Sequence, residues 1–302
     1  MKKRILITGG TGFIGSIVRE KINSELDCEI LSIGRGQGED VKVDLNSSLG
    51  KTFKDFLPDI VFHLASGSNI SKAEENKEKE LHDVVHGTEN LIKELTKLKL
   101  EPKKIIYLSS QAVYGIPKSL PVAESHRTSP VTVYGRNKLE AEEVIIKSGL
   151  PYFIFRVSSV YGASQNPEKS GVIAKSINKL QRNESPTVFN SLELYSDFIY
   201  VDDLVRAISV VAGENFNVTN EIYNLGSGKP TTLKTILEIL YKYFPSAPAP
   251  IFTENSLYST KEHKGLYLDI SKIQSQLKWN CKYNIEDGIR LTLENIKLAE
   301  KV

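Results

Sequence analysis

The sequence predicts an α/β fold, a doubly wound parallel sheet with a smaller C-terminal lobe. Three observations lead there. Short apolar runs alternate with longer amphipathic ones, the pattern of strands joined by crossover helices. The run Ile105-Ile106-Tyr107-Leu108 is apolar throughout, as strands covered on both faces are. After about residue 163 the alternation loosens.

Taken in order, strands are expected at residues 4–8, 29–33, 60–64, 104–109 and 152–156. Helical patterns fill the intervals at 12–24, 74–98 and 131–147. Pro167, Pro186, Pro245, Pro248 and Pro250 break the later part, and "PSAPAP" reads as a loop. Two further helices are expected at 233–243 and 285–299. The expected division is a larger domain at 1–165, with 195–226 returning to it, and a smaller lobe at 166–194 and 227–302.

Composition narrows the setting. With 39 basic and 37 acidic residues the formal net charge is +2, which calls for neither nucleic acid nor an anionic membrane. Cys28 and Cys281 give no disulfide framework or metal spacing, as expected for a reducing cytoplasm. The apolar run in MKKRILITGG is too short for a signal peptide, and no 18-residue apolar stretch exists to span a membrane.

Two motifs carry chemistry. In "ILITGGTGFIG", Gly9, Gly12 and Gly15 fall between the first strand and the first helix, with Phe13 and Ile14 inside the loop. Glycines there permit a tight turn and a close approach of backbone to a pyrophosphate, and the helix N-terminus favours the anion. In "VYGRNK", Tyr134 and Lys138 stand at i and i+4, on one helix face. A neighbouring ammonium favours phenolate and is expected to bring the phenol toward the working range. "LSSQAVYG" adds Ser109 and Ser110 at a strand end, where ligands bind in open parallel sheets.

With these residues the chain resembles the extended short-chain dehydrogenase/reductase superfamily, in particular its NAD-dependent epimerase/dehydratase family of nucleotide-sugar enzymes. The resemblance runs through "VDL" at 43–45, "FHLA" at 62–65, "GTENL" at 87–91, "SSVYG" at 158–162, "DFIYVDDL" at 197–204, "YNLGSGKPTTL" at 223–233 and "LDISK" at 268–272. It implies a Rossmann-like domain, a nicotinamide dinucleotide, a nucleotide-diphosphate sugar substrate and a homodimer formed through the helices at 74–98 and 131–147. By the same resemblance Tyr134 is the acid–base, Lys138 steers it and the nicotinamide ribose, and Ser110 bonds the sugar oxygen. Asp44 and Leu45 match the segment beside the adenine, and Leu64 and Ala65 the loop along the pyrophosphate. Ser66, Gln111, Ser159, Ser196 and Lys261 are candidate substrate contacts.

Departures from the family pattern bear on the reaction. Sugar dehydratases of the family read Thr-Asp-Glu where this chain has Ser110-Gln111-Ala112. Glutamine and alanine cannot exchange the protons of water elimination, so dehydration is not expected. Ser159 and Ser196 replace other residues common in the family, and a usual arginine is missing, leaving Lys261, His263 and Lys264 nearby. The second strand ends in Gly34-Arg35, where members preferring NAD carry an acid. A guanidinium there suits a 2′-phosphate, so NADP is the expected cofactor, with NAD the alternative. The function expected is hydride transfer at a sugar carbon, C4, by a keto-sugar reductase. The alternatives are a 4-epimerase with tightly bound NAD and a catalytically silent dinucleotide sensor.

Overall fold

The computed structural model describes residues 2–65, 67, 70–167, 171–213, 219–254 and 264–299. Its centre is a seven-stranded sheet. Strands β1 (Lys3–Thr8), β2 (Cys28–Gly34), β3 (Val41–Lys42), β4 (Ile60–His63), β5 (Lys104–Ser110) and β6 (Tyr152–Val157) lie in the order β3-β2-β1-β4-β5-β6, and Glu221–Leu225 flanks β6. Pairing from β3 through β6 is parallel throughout. The order reverses between β1 and β4, which sets the crevice for a ligand beyond their carboxyl ends.

The sheet exists because its strands are apolar on both faces. Leu6, Val61, Ile105 and Ile154 pack with Leu91, Leu95, Ala141 and Ile145 from the covering helices, all fully buried. Each expected strand is present, extended by a residue or two in most cases. The expected helix at 74–98 is instead broken into Ile70–Glu75, Lys77–Leu81, a π-helical turn at His82–His86, and Gly87–Lys97. The break has a local cause: the Asn76 side chain accepts a hydrogen bond from the Lys79 amide at 3.0 Å and starts a new helix.

By contacts the chain forms two units, Met1–Gly115 with Glu124–Val157 and Val205–Tyr223, and Ile116–Ala123 with Ser158–Leu204 and Asn224–Val302. The stretch returning to the first unit is thus shorter than the expected 195–226. Buried Asp197 and Asp203 supply the reason. Asp197 accepts hydrogen bonds from the Ser227, Gly228 and Leu268 amides at 2.7, 3.0 and 3.2 Å. Asp203 accepts from the Lys282 and Tyr283 amides, each at 3.0 Å. Both carboxylates tie their segment to backbone of the second unit.

Candidate active site

At the end of β1 the chain turns through Gly9, whose φ of +72° suits glycine. A Cβ there would lie 2.9 Å from the Ala65 Cα, and one on Gly15 would collide with the Gly9 carbonyl. Gly12 is the N-cap of helix α1 (Phe13–Glu25), and no side chain caps it. The first-turn N–H groups that lack intrahelical partners therefore form a cradle fitted to a pyrophosphate. Phe13 and Ile14 lie in that first turn.

The loop on the other side of the crevice is held by a hydrogen-bonded chain. The Ala65 amide donates to Thr8 Oγ1 at 3.1 Å, and Thr8 Oγ1 meets His63 Nδ1 at 2.8 Å. His63 Nε2 meets Thr88 Oγ1 at 2.9 Å, and Thr88 donates to the Val84 carbonyl at 2.6 Å. Because Thr88 spends its proton on Val84, Nε2 of His63 carries hydrogen and Nδ1 accepts from Thr8. The imidazole is neutral, its pKa pushed down to about 3 by burial and by the nearby Lys138 charge. Leu64 and Ala65 are thereby fixed to the ends of β1 and β4.

Tyr134 and Lys138, the side chains expected to react, come from helix Val133–Lys147. Thr132 caps it, accepting from the Gly135 amide at 3.1 Å, and Glu74 accepts from the Val133 amide at 2.7 Å. Gly135 lets the helix press on the turn Gln111–Tyr114, since a Cβ would stand 2.6 Å from the Ala112 carbonyl. This contact brings Tyr134 to Ser110, and their side chains are hydrogen-bonded. Ser110 Oγ also accepts from the Ala112 amide at 3.2 Å, which fixes its position. Lys138 is buried and donates to the Leu108 carbonyl at 2.7 Å, with its ammonium 5.8 Å from the Tyr134 ring centroid and 5.0 Å from that of Tyr107.

Electrostatics here differ from the expectation that Lys138 brings the phenol toward neutrality. Burial pushes Tyr134 up to about 12, opposed by the Ser110 hydrogen bond and reinforced by the Glu80 carboxylate. Lys138 falls to about 8 through burial, while Glu80 and Glu142 act to raise it. The lysine holds the Leu108 carbonyl, and Ser110 bonds the Tyr134 hydroxyl.

Ser109 points away from Ser110, as adjacent strand residues do. Its hydroxyl donates to the buried Glu142 carboxylate, which pairs with buried Arg156 at 2.8 Å. Ser109 therefore braces the strand end, and its hydroxyl is not offered to a cofactor. Ser159 and Ser196 of the second unit lie together, their hydroxyls 3.2 Å apart. Ser66, Lys261 and His263 lie outside the described residues.

Arg35 is not free to wait for a phosphate. Its two terminal nitrogens each donate to Asp83 at 2.8 Å, and one also meets Asp44 at 3.5 Å. Lys79 joins Asp83 from one helical turn away at 2.9 Å. Burial opposes the Asp83 charge, but the Arg35 and Lys79 hydrogen bonds outweigh it and hold the carboxyl below its usual value. Asp44 is lowered by its Asn46 backbone hydrogen bond, and the Leu45 carbonyl accepts from Asn90 at 2.6 Å. An acid does reach the end of β2, from further along the chain. Glu39 folds back to accept from the Thr11 amide at 3.0 Å and from the Ser32 hydroxyl, close against Gly34. Sequence reasoning missed Glu39, Asp83, His63, Glu80 and the Glu142–Arg156 pair. "GRGQGED" held a signal for Glu39, an acid at the far end of a glycine-rich turn.

Among the described residues no cluster of three or more His, Cys, Asp or Glu could hold a metal ion, and no helix is long and apolar enough to cross a membrane. Comparison with known proteins matches residues 5–226 to the model of the NAD dependent epimerase/dehydratase family. The chain is 33% identical over 316 residues to the "Putative UDP-glucose 4-epimerase" of Methanocaldococcus jannaschii, covering 97% of this chain and 98% of that protein. It is 26% identical to the dTDP-4-dehydro-6-deoxyglucose reductase of Escherichia coli, covering 98% of each. Among solved structures it resembles the UDP-glucose 4-epimerase of Thermotoga maritima with UDP-glucose, with a TM-score of 0.88, 26% identity and coverage of 98% of this chain and 99% of that one.

Proposed function

Since the chain belongs to the NAD dependent epimerase/dehydratase family and is an enzyme of the extended short-chain dehydrogenase/reductase type, we propose that it is a nucleotide-sugar 4-epimerase holding NAD(H). The observation that carries this choice over a reductase is the state of Arg35, the one feature that pointed to NADP. Its guanidinium is taken by Asp83 and Asp44. With Glu39 also at the end of β2, a 2′-phosphate would meet three carboxylates. Ribose hydroxyls, which donate hydrogen bonds, suit that setting.

The glycine cradle at Gly9, Gly12 and Gly15 would hold the pyrophosphate, Asp44 and Leu45 the adenine side, and Lys138 the nicotinamide ribose. Bound there, the dinucleotide would supply a hydride acceptor and donor. Tyr134 takes the proton of the sugar hydroxyl as its carbon gives up hydride, and returns it when the carbon is reduced. Ser110 donates to the sugar oxygen and keeps it next to Tyr134. Lys138 places its ammonium 5.8 Å from the Tyr134 ring centroid. Gln111 is assigned to binding of the nucleotide-linked sugar. Ser110-Gln111-Ala112 provides no acid pair for water elimination, so dehydration is not assigned.

A keto-sugar reductase using NADPH is the second reading, favoured by the 54% exposure of the Arg35 side chain. The test is incubation with a panel of nucleotide-linked hexoses, without added dinucleotide, followed by proton NMR. Appearance of the C4 epimer supports the proposal. No epimer from any hexose, together with NADPH consumption on a 4-keto sugar, would replace it with the second reading. The proposed assembly is a homodimer through the helical segments at 70–97 and 133–147, and sedimentation as a monomer at micromolar concentration would overturn that part.

A further inference from the structure

Glu80 belongs to no part of the chemistry assigned above, yet its charge acts on both Lys138 and Tyr134. It lies on the short helix Lys77–Leu81, where Lys77, Glu78 and Lys79 are exposed and Glu80 is turned inward. The helix packs on Val133–Lys147, the element that carries Tyr134 and Lys138. Gly67, in the loop after β4, makes room for it. Any Cβ at Gly67 would collide with the Glu80 carboxylate, so the carboxylate rests on a bare Cα. Its Oε1 is buried and, among the described residues, has no hydrogen-bond partner. Buried polar oxygens are nearly always paired, and an exception calls for a role.

We propose that Glu80 is a positioning residue of the reaction: its carboxylate, seated against Gly67, is the counter-charge that keeps Lys138 cationic and sets the pH range in which Tyr134 and Lys138 work. The proposal rests on the hydride-transfer reading of that pair. The groups facing Glu80 are Lys138 and Tyr134 from helix Val133–Lys147, Tyr107 from β5, and Lys79 and Asp83 from its own helix and the π-helical turn. Lys79 is already paired with Asp83. Lys138 is the cation on which the Glu80 charge acts, beside that of Glu142, and burial is what opposes its charge. Burial also holds the Glu80 carboxyl above its ordinary value, while Lys138 draws it back down.

The signs give a distinctive outcome. Glu80 raises both Lys138 and Tyr134. Removing its charge lowers both, so the acid and base limbs of the turnover profile move together toward lower pH. A residue that merely packs would change the height of the profile and leave its limbs in place.

The direct test titrates Lys138 without relying on turnover. In protein carrying 13C-labelled lysine, the Cε resonance of Lys138, assigned with Lys138→Arg, is followed against pH in wild type, Glu80→Gln and Glu80→Asp. The Glu80→Gln midpoint should fall by about one pH unit, as expected on loss of a close opposite charge. Glu80→Asp should stay near wild type. If Glu80→Gln fails to fold, Glu80→Met, of similar length and uncharged, should show the same fall. An unchanged midpoint in a folded neutral variant would overturn the inference. The pH profile of epimerisation should move with the midpoint. A wild type silent on every hexose would count against the epimerase reading, while the Lys138 midpoint still decides the role of Glu80.

Discussion

Arg35 and Asp83 share two hydrogen bonds of 2.8 Å each, and in the proposed reading this pair sets how the end of β2 treats a dinucleotide. Arg35→Ala should leave NADH affinity within about three-fold, because the guanidinium is engaged with protein carboxylates rather than awaiting a phosphate. Asp83→Ala frees Arg35 and should tighten NADPH about ten-fold, the scale of one charged hydrogen bond. Fluorescence titration of both nucleotides checks this, and a selective loss of NADPH in Arg35→Ala would restore the NADP reading. At the reacting centre, Tyr134→Phe should cut turnover by about 10² to 10⁴ while dinucleotide binding holds, since only the proton-transfer hydroxyl is removed. A ten-fold loss or less in a steady-state assay would exclude Tyr134 as the acid–base. Tyr134, Lys138, Ser110 and the three glycines were legible in the sequence because their geometry is local: a helix spacing, a strand end, a turn. Asp83 and Glu39 were not. Each reaches its partner through tertiary folding, and Arg35 alone gave no hint that its charge was already matched.

At the scale of elements, the ends of β1 and β4 are joined to the π-helical turn His82–His86 by Thr8, His63 and Thr88. Turns of this kind often mark functional sites, and this one directs Asp83 at Arg35. Periodicity alone predicts one helix over 74–98 and carries no sign of the Asn76 cap that restarts it. The chain makes stability depend on pH. His63 has a folded pKa of about 3 against an ordinary 6.5, so between those values the unfolded state binds more protons. Stability should therefore fall as pH drops below 6.5, with a slope approaching about 1.4 kcal/mol per pH unit. His63→Gln should flatten that slope in urea denaturation between pH 4 and 6.5, whatever its effect at pH 7. An identical slope would mean that His63 does not hold its neutral form. Under β5 and β6, Glu142→Ala strands the Arg156 charge and should cost about 3–5 kcal/mol. Adding Arg156→Met should recover much of it in the same denaturation assay.

For the molecule as a whole, the alternation of apolar runs and amphipathic stretches revealed the parallel sheet, because each strand must be covered on both faces. The extent of the second unit was harder to read. Its segments come from three parts of the chain and are tied by Asp197 and Asp203 to backbone amides, contacts with no periodic signature. The choice among reactions was likewise beyond the motifs, since Tyr134, Lys138 and Ser110 serve an epimerase and a reductase alike. What separates the two is whether the dinucleotide stays. An epimerase returns the hydride to the carbon that gave it and needs no exchange, whereas a reductase must release the oxidised form after each turn. The decisive measurement is the identity and amount of nucleotide released when the purified, undialysed protein is denatured, read by mass and absorbance. NAD(H) in near-stoichiometric amount is the result predicted. A protein that releases no dinucleotide and takes up NADPH in preference to NADH would contradict it.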